Sequence, residues 1–215
     1  MPSSVRSAQK REFEDSTPPR KVFLFSGHMI DAPDRAEPRF PPDKESGAAQ
    51  AIAQKLDELD AGNDDLAICS GACGGDLLFA EACLERGLRL ELHLPFDVPR
   101  FIEESVVFAG ASWRDRFMKV CRHAHASLLV MTDETEPAAS DLNPFERNNL
   151  WMLSTALQYG ADKLHFICLW NRQSGDGAGG AQHMVETVKK VSGHVHILDT
   201  NLLPRMNPGF PLARE

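Results

Sequence analysis

The sequence predicts a doubly wound α/β fold, a mainly parallel sheet with helices on both faces. Three observations carry this. Short apolar runs alternate with amphipathic segments of about 10–15 residues, the pattern of successive βαβ units. A glycine-rich break, "SGACGGD" (Ser70–Asp76), stands at the mouth of the second apolar run. A connection of nearly twenty residues, Ser26–Glu45, separates the first run from the next helix, and loops of that length in a compact domain usually carry function or lack order.

The elements follow in order. "KVFLFS" is read as the first strand, Lys44–Asp60 as a helix, "LAICS" as a strand, Gly75–Arg86 as a helix and "LRLELHLP" as a strand. Helical segments cross Pro99–His123. They are followed by strand "ASLLVM", helix Pro144–Tyr159, strand "KLHFICLW", helix Ala181–Val191 and strand "HVHIL". Residues 1–20, rich in Ser, Pro and mixed charge, are expected to be a disordered tail. Residues 21–198 are expected to form one domain, and 199–215, with three prolines, a coil.

Composition narrows the function. The chain has 215 residues, 42% of them hydrophobic, which suits one packed core. A net charge of −8 argues against a nucleic-acid partner, whose phosphates call for a basic surface. No apolar stretch approaches a membrane span and no secretory apolar run is seen, so no membrane partner is expected. The five cysteines are odd in number and lack C-x-x-C spacing, which fits reduced thiols in a cytoplasmic protein.

In an open α/β sheet, ligands bind beyond the carboxyl ends of the strands, so four loops matter. The first, Ser26–Glu45, offers Ser26, Gly27, His28, Asp31, Arg35 and Arg39, and arginine suits bidentate contact with phosphate. The second offers Ser70, Gly71, Gly74, Gly75 and Asp76. Glycine admits a ligand close to main-chain N–H groups, and the following helix directs its positive end there. Asp76 could instead be a helix cap. On this reading a side chain at Gly75 is expected to harm binding more than folding.

The third loop, Thr132–Asn149, is acidic. Asp133 and Glu134 could hold a ribose hydroxyl, an amino group or a divalent ion, and that ion is the sole cofactor considered. Glu146 and Asn149 share a face of the next helix. The fourth, "NRQSGDGAGG", brings Asp176, Gly177, Gly179 and Gly180 into a loop able to nest an anion or merely to flex. Metal binding by "HAH" (123–125) or "HVH" (194–196) is not expected. Cys73 is a reactive-thiol candidate without an evident histidine partner.

The stretches "VFLFSG" and "AICSGACGGDLLFAEACLERGLRLELHLP" resemble the strand, glycine-loop, helix and strand core of the SLOG superfamily, the Rossmann-like group of DNA-processing protein A and the LONELY GUY nucleotide phosphoribohydrolases. The resemblance continues through "RFMKVCRHAHASLLVM" and "LWMLSTALQYGADKLHFICLW" and so covers about residues 21–198. More specifically, Ser26–His28 with Asp31, Arg35 and "PRFP", Ala72–Gly74 with Asp76, "LPF" and "GDGAGG" resemble a subset associated with bacterial signalling proteins.

The resemblance implies a nucleotide-like ligand, held by the glycine loop, and a sensor role in signalling or defence. A homo-oligomer or a signalling partner protein is left open. The phosphoribohydrolases' Pro-Gly-Gly-x-Gly-Thr-x-x-Glu loop is replaced by "TDETEPAASDLNPFERNN". A nucleotide N-glycoside hydrolase, with Glu146 or Asp133 as acid/base, is therefore the second expectation, and an interaction module with a vestigial pocket the third.

Overall fold

The computed structural model describes residues 17–132, 142–173, 180–191 and 194–205. Six strands, β1 (Val22–Gly27), β2 (Leu66–Cys69), β3 (Arg89–Leu94), β4 (Ala126–Val130), β5 (Leu164–Trp170) and β6 (His194–Asp199), form one sheet in the order β4-β3-β2-β1-β5-β6. Every pairing is parallel. The chain is thus a Rossmann-like, doubly wound α/β fold.

Its helices are α1 (Glu45–Glu58), α2 (Gly75–Glu85), α3 (Val98–Ser105), α4 (Ala111–Arg122), α5 (Pro144–Leu157) and α6 (Ala181–Lys189). The expected helical stretch across Pro99–His123 is two helices, parted at Gly110 with φ 124°.

Because successive side chains of a strand point to opposite faces, each strand feeds two cores. Phe23, Phe25, Cys69 and Leu92 join Ile52 and Leu56 of α1, Phe79 of α2, Phe101 of α3 and Phe117 of α4. Val22, Leu24, Ile68 and Phe166 join Met152 and Leu153 of α5 and Met184 and Val188 of α6. Burial on both faces explains why the strands read as nearly unbroken apolar runs. No helix among the described residues is long and apolar enough to cross a membrane.

The winding reverses at β1. From there the chain steps outward through β2 and β3 to β4, then returns to lay β5 against β1 on the other side. A crevice opens beyond the carboxyl ends of strands at such a reversal. The chain after β6 returns to its rim. Thr200 is buried, its hydroxyl donates to Arg39 O at 2.7 Å, and Lys44 Nζ donates to Thr200 O at 2.6 Å.

A histidine cluster lies at the far edge, on β5 and β6. His165 stacks on His194 and His196, with ring centroids 4.6 and 5.6 Å away. Burial first, then the charges of His194 and His196, push His165 down to about 4; Lys21 adds to this and Asp65 opposes it. His196 is lowered too, by burial and Lys55, against Glu58.

An unfolded histidine titrates near 6.5, so the unfolded chain takes up these protons first. Their contribution to stability is therefore complete above about pH 6.5 and is lost as pH falls toward 4. Urea unfolding at pH 7.5 and 4.5 should show a decrease that His165→Phe reduces by on the order of 1–2 kcal/mol, allowing for solvent screening. An identical decrease in the variant would remove His165 as the cause. Among the described residues no group of three or more His, Cys, Asp or Glu is arranged to hold a metal.

Candidate functional site

The crevice at the reversal is a cleft of about 490 Å³. Of the expected site residues, Ser26, Gly27, His28, Arg35, Arg39, Ser70, Asp76, Asn149 and Gly180 line it, whereas Gly71, Gly74, Gly75 and Glu146 do not. Asp133, Glu134, Asp176, Gly177 and Gly179 lie outside the described residues.

The end of β1 supplies one wall. His28 is buried, and its Nε2 lies 3.0 Å from Asn171 Oδ1 and 3.2 Å from the main-chain N of the same residue. Burial lowers its pKa. The long loop that follows is wound around Asp31, whose Oδ2 accepts the N–H groups of Arg39 and Phe40, each at 2.8 Å. Arg35 Nε lies 3.4 Å from Asp31 Oδ1 and donates to Glu37 O at 3.0 Å. Burial raises the Asp31 pKa, against the Phe40 hydrogen bond and the Arg35 charge. An isolated bridge between Met29 and Gly74 ties this loop to the glycine loop.

The glycine loop differs from the open phosphate cradle expected of it. Gly71 and Ala72 donate their N–H groups to Asp76 Oδ2 at 3.2 and 3.4 Å. Cys73 N donates to Ser105 O, Gly75 N to His28 O and Leu77 N to Ala72 O. The carboxylate of Asp76 thus sits where an external anion would have sat. Asp76 is the second residue of α2, and the chain turns back so sharply that its side chain reaches the loop before it. Burial pushes its pKa up to about 7, against the pull of the Ala72, Gly71 and Ser70 N–H groups. The expectation for Gly75 also changes. A Cβ there would lie 3.1 Å from the Phe25 ring and 3.3 Å from His28 O, so a side chain strikes packing first.

The opposite wall comes from α5. Asn143 caps it, accepting from Glu146 N at 3.0 Å. Asn148 Nδ2 donates to both Ser70 Oγ and His93 O at 2.9 Å, which fixes Ser70 at the mouth of β2. Glu146 is buried with Oε1 3.7 Å from His183 Nε2, facing α6.

The remaining wall is aromatic and was missed in the sequence: Phe101, Ser105 and Phe108 from α3 and the turn after it, with Phe145 of α5. Met29, Phe108 and Phe145 are 41%, 37% and 42% exposed, an unusual concentration of open apolar surface around one cleft. "N-P-F-E", a cap followed by Pro and an acid, is the one signal that could have placed Asn143 and Phe145 at a helix start facing the ligand side. Cys73 is no nucleophile at neutral pH, since burial pushes its thiol up to about 12.

No protein-family model matches the chain, and no curated protein matches it. Among solved structures it is similar to the Moco carrier protein from Chlamydomonas reinhardtii, at 11% identity and a TM-score of 0.33, over 85% of this chain and 91% of that one. It is also similar to DNA processing protein A from Streptococcus pneumoniae, at 12% identity and a TM-score of 0.37, over 85% of this chain. The match spans 60% of the length of that second protein.

Proposed function

We propose that the protein binds a nucleotide or nucleotide-derived ligand in the cleft at the β1–β5 reversal, as a SLOG-type sensor domain in bacterial signalling or defence. The observation that carries this reading is the cleft's division. Arg35 and Arg39 line one wall, and partly exposed phenylalanines line another. Guanidinium groups suit phosphate, and open aromatic faces suit a base. The sensor role rests on the motif resemblance. The hydrolase alternative draws no support from Glu146, which faces His183 and does not line the cleft. Asp133 and Glu134 remain candidates for a sugar, base or divalent ion, and Asp176, Gly177 and Gly179 for an anion.

Calorimetric titration with nucleoside monophosphates and their nucleosides tests the reading. Arg35→Ala should weaken the phosphorylated ligand by roughly 10- to 100-fold, the equivalent of one charge-assisted contact, and leave the nucleoside unchanged. Circular dichroism confirms the fold, because the substitution also removes the ion pair with Asp31. Equal losses for both ligand forms would exclude Arg35 as the phosphate contact.

A further inference from the structure

Ser105 closes α3, and its carbonyl accepts the Cys73 N–H at 2.8 Å, so the residue is held directly beside the glycine loop. It is 1% exposed and it lines the cleft, yet its Oγ has no hydrogen-bond partner among the described residues. A serine in the last turn of a helix ordinarily returns its hydroxyl to the carbonyl four residues earlier, here Phe101. Ser105 does not, and a buried hydroxyl left unpaired carries a desolvation penalty.

The surroundings of that hydroxyl limit what can meet it. Phe108, three residues on, is partly exposed and lines the same cleft, as does the buried Phe101. The neighbouring main-chain donors, Gly71 and Ala72, are already held by Asp76. An incoming phosphate would find the Asp76 carboxyl group there in place of free N–H groups. The α3 side of the cleft is therefore apolar, with one unmet hydroxyl. That is the complement of a heteroaromatic ring with a hydrogen-bonding edge. The anionic group is left to the arginine wall.

We infer that Ser105 reads the hydrogen-bonding edge of a nucleobase lying against Phe108, and that this contact, with the loop closed by Asp76, sets the direction in which the ligand enters the cleft. The inference rests on the nucleotide reading above and adds to it the orientation and a specificity residue. Ser105 can donate and accept, so it discriminates by where the base edge presents its groups, and the ring face on Phe108 holds the plane.

The test uses the full chain. AMP, GMP, CMP and UMP are titrated into the wild type, and the tightest is carried forward with its nucleoside. Ser105→Ala should bind both about tenfold more weakly, because the lost contact is to the base. Arg35→Ala should weaken the nucleotide alone. The melting temperature of Ser105→Ala should be unchanged or higher, since a partnered structural hydroxyl would lower it on removal and this one has no partner. Phe108→Ala removes a ring that is partly in solvent, and should show the same joint loss for nucleotide and nucleoside. Equal affinity of Ser105→Ala and wild type for the nucleotide overturns the inference and leaves the nucleotide reading standing. Loss for the nucleotide with the nucleoside unchanged overturns it as well. Failure of the wild type to bind any of the four overturns the reading and the inference together.

Discussion

Gly74→Ala is expected to lose about 3–5 kcal/mol of folding stability, a large part of the roughly 5–15 kcal/mol that holds a domain together. Two causes add. Gly74 sits at φ 97°, ψ −128°, backbone territory that L side chains rarely enter. A Cβ there would also stand 2.6 Å from Ile30 N, 3.0 Å from His28 O and 3.0 Å from Met29 C. All three are main-chain atoms, so no rotamer can relieve the contact.

Relief requires the Met29–Gly74 bridge to open, and with it the link between the long loop and the glycine loop. Gly62→Ala is the matched control, because nothing lies within 4 Å of a Cβ there and its φ is not in the strained range. Urea midpoints decide the matter. A Gly74→Ala midpoint as close to wild type as that of Gly62→Ala would mean that the two loops are not locked together.

That residue shows where sequence and structure part. The strands were legible to within one or two residues, because a parallel sheet covered on both faces demands continuous apolar runs and leaves little room for other readings. The helices were legible from their period, and the position of the cleft from the glycine break and the long loop. What the sequence could not show was which way the glycine loop's N–H groups are satisfied. "SGACGGD" is equally compatible with an open anion nest and with one closed by its own aspartate. The choice depends on a turn through Gly74 that no side-chain pattern announces. Ser105 and Phe108 were illegible for a different reason. A serine and a phenylalanine near a helix end are ordinary, and only three-dimensional neighbours distinguish an unpaired hydroxyl from a solvated one. Glu146 was read onto the right helix, but α6 claims it through His183.

Asp76 makes the second large effect, and its pH dependence separates the charge from the hydrogen bonds. Asp76→Ala removes the acceptor of the Gly71 and Ala72 N–H groups and leaves both unsatisfied in a buried loop, a loss of about 2–4 kcal/mol. Asp76→Asn keeps an oxygen at the position of Oδ2, which accepts both bonds, and discards the buried charge. It should retain most of the stability.

An unfolded aspartate titrates near 3.9, and burial raises Asp76 to about 7, so between these values the folded chain holds a proton the unfolded chain has released. Stability from this residue consequently falls as pH rises from about 4 to 7 and is level above. The histidine cluster acts in the opposite direction over much of that range, but it is common to wild type and Asp76→Asn and cancels in their difference. Asp76→Asn should therefore gain on wild type from pH 4.5 to pH 7.5, while Asp76→Ala stays below Asp76→Asn throughout. A difference that does not change with pH would show a carboxyl group titrating in its ordinary range. The N–H groups of Gly71 and Ala72 would then offset burial in full, and the charge on Asp76 would carry no penalty in the folded loop.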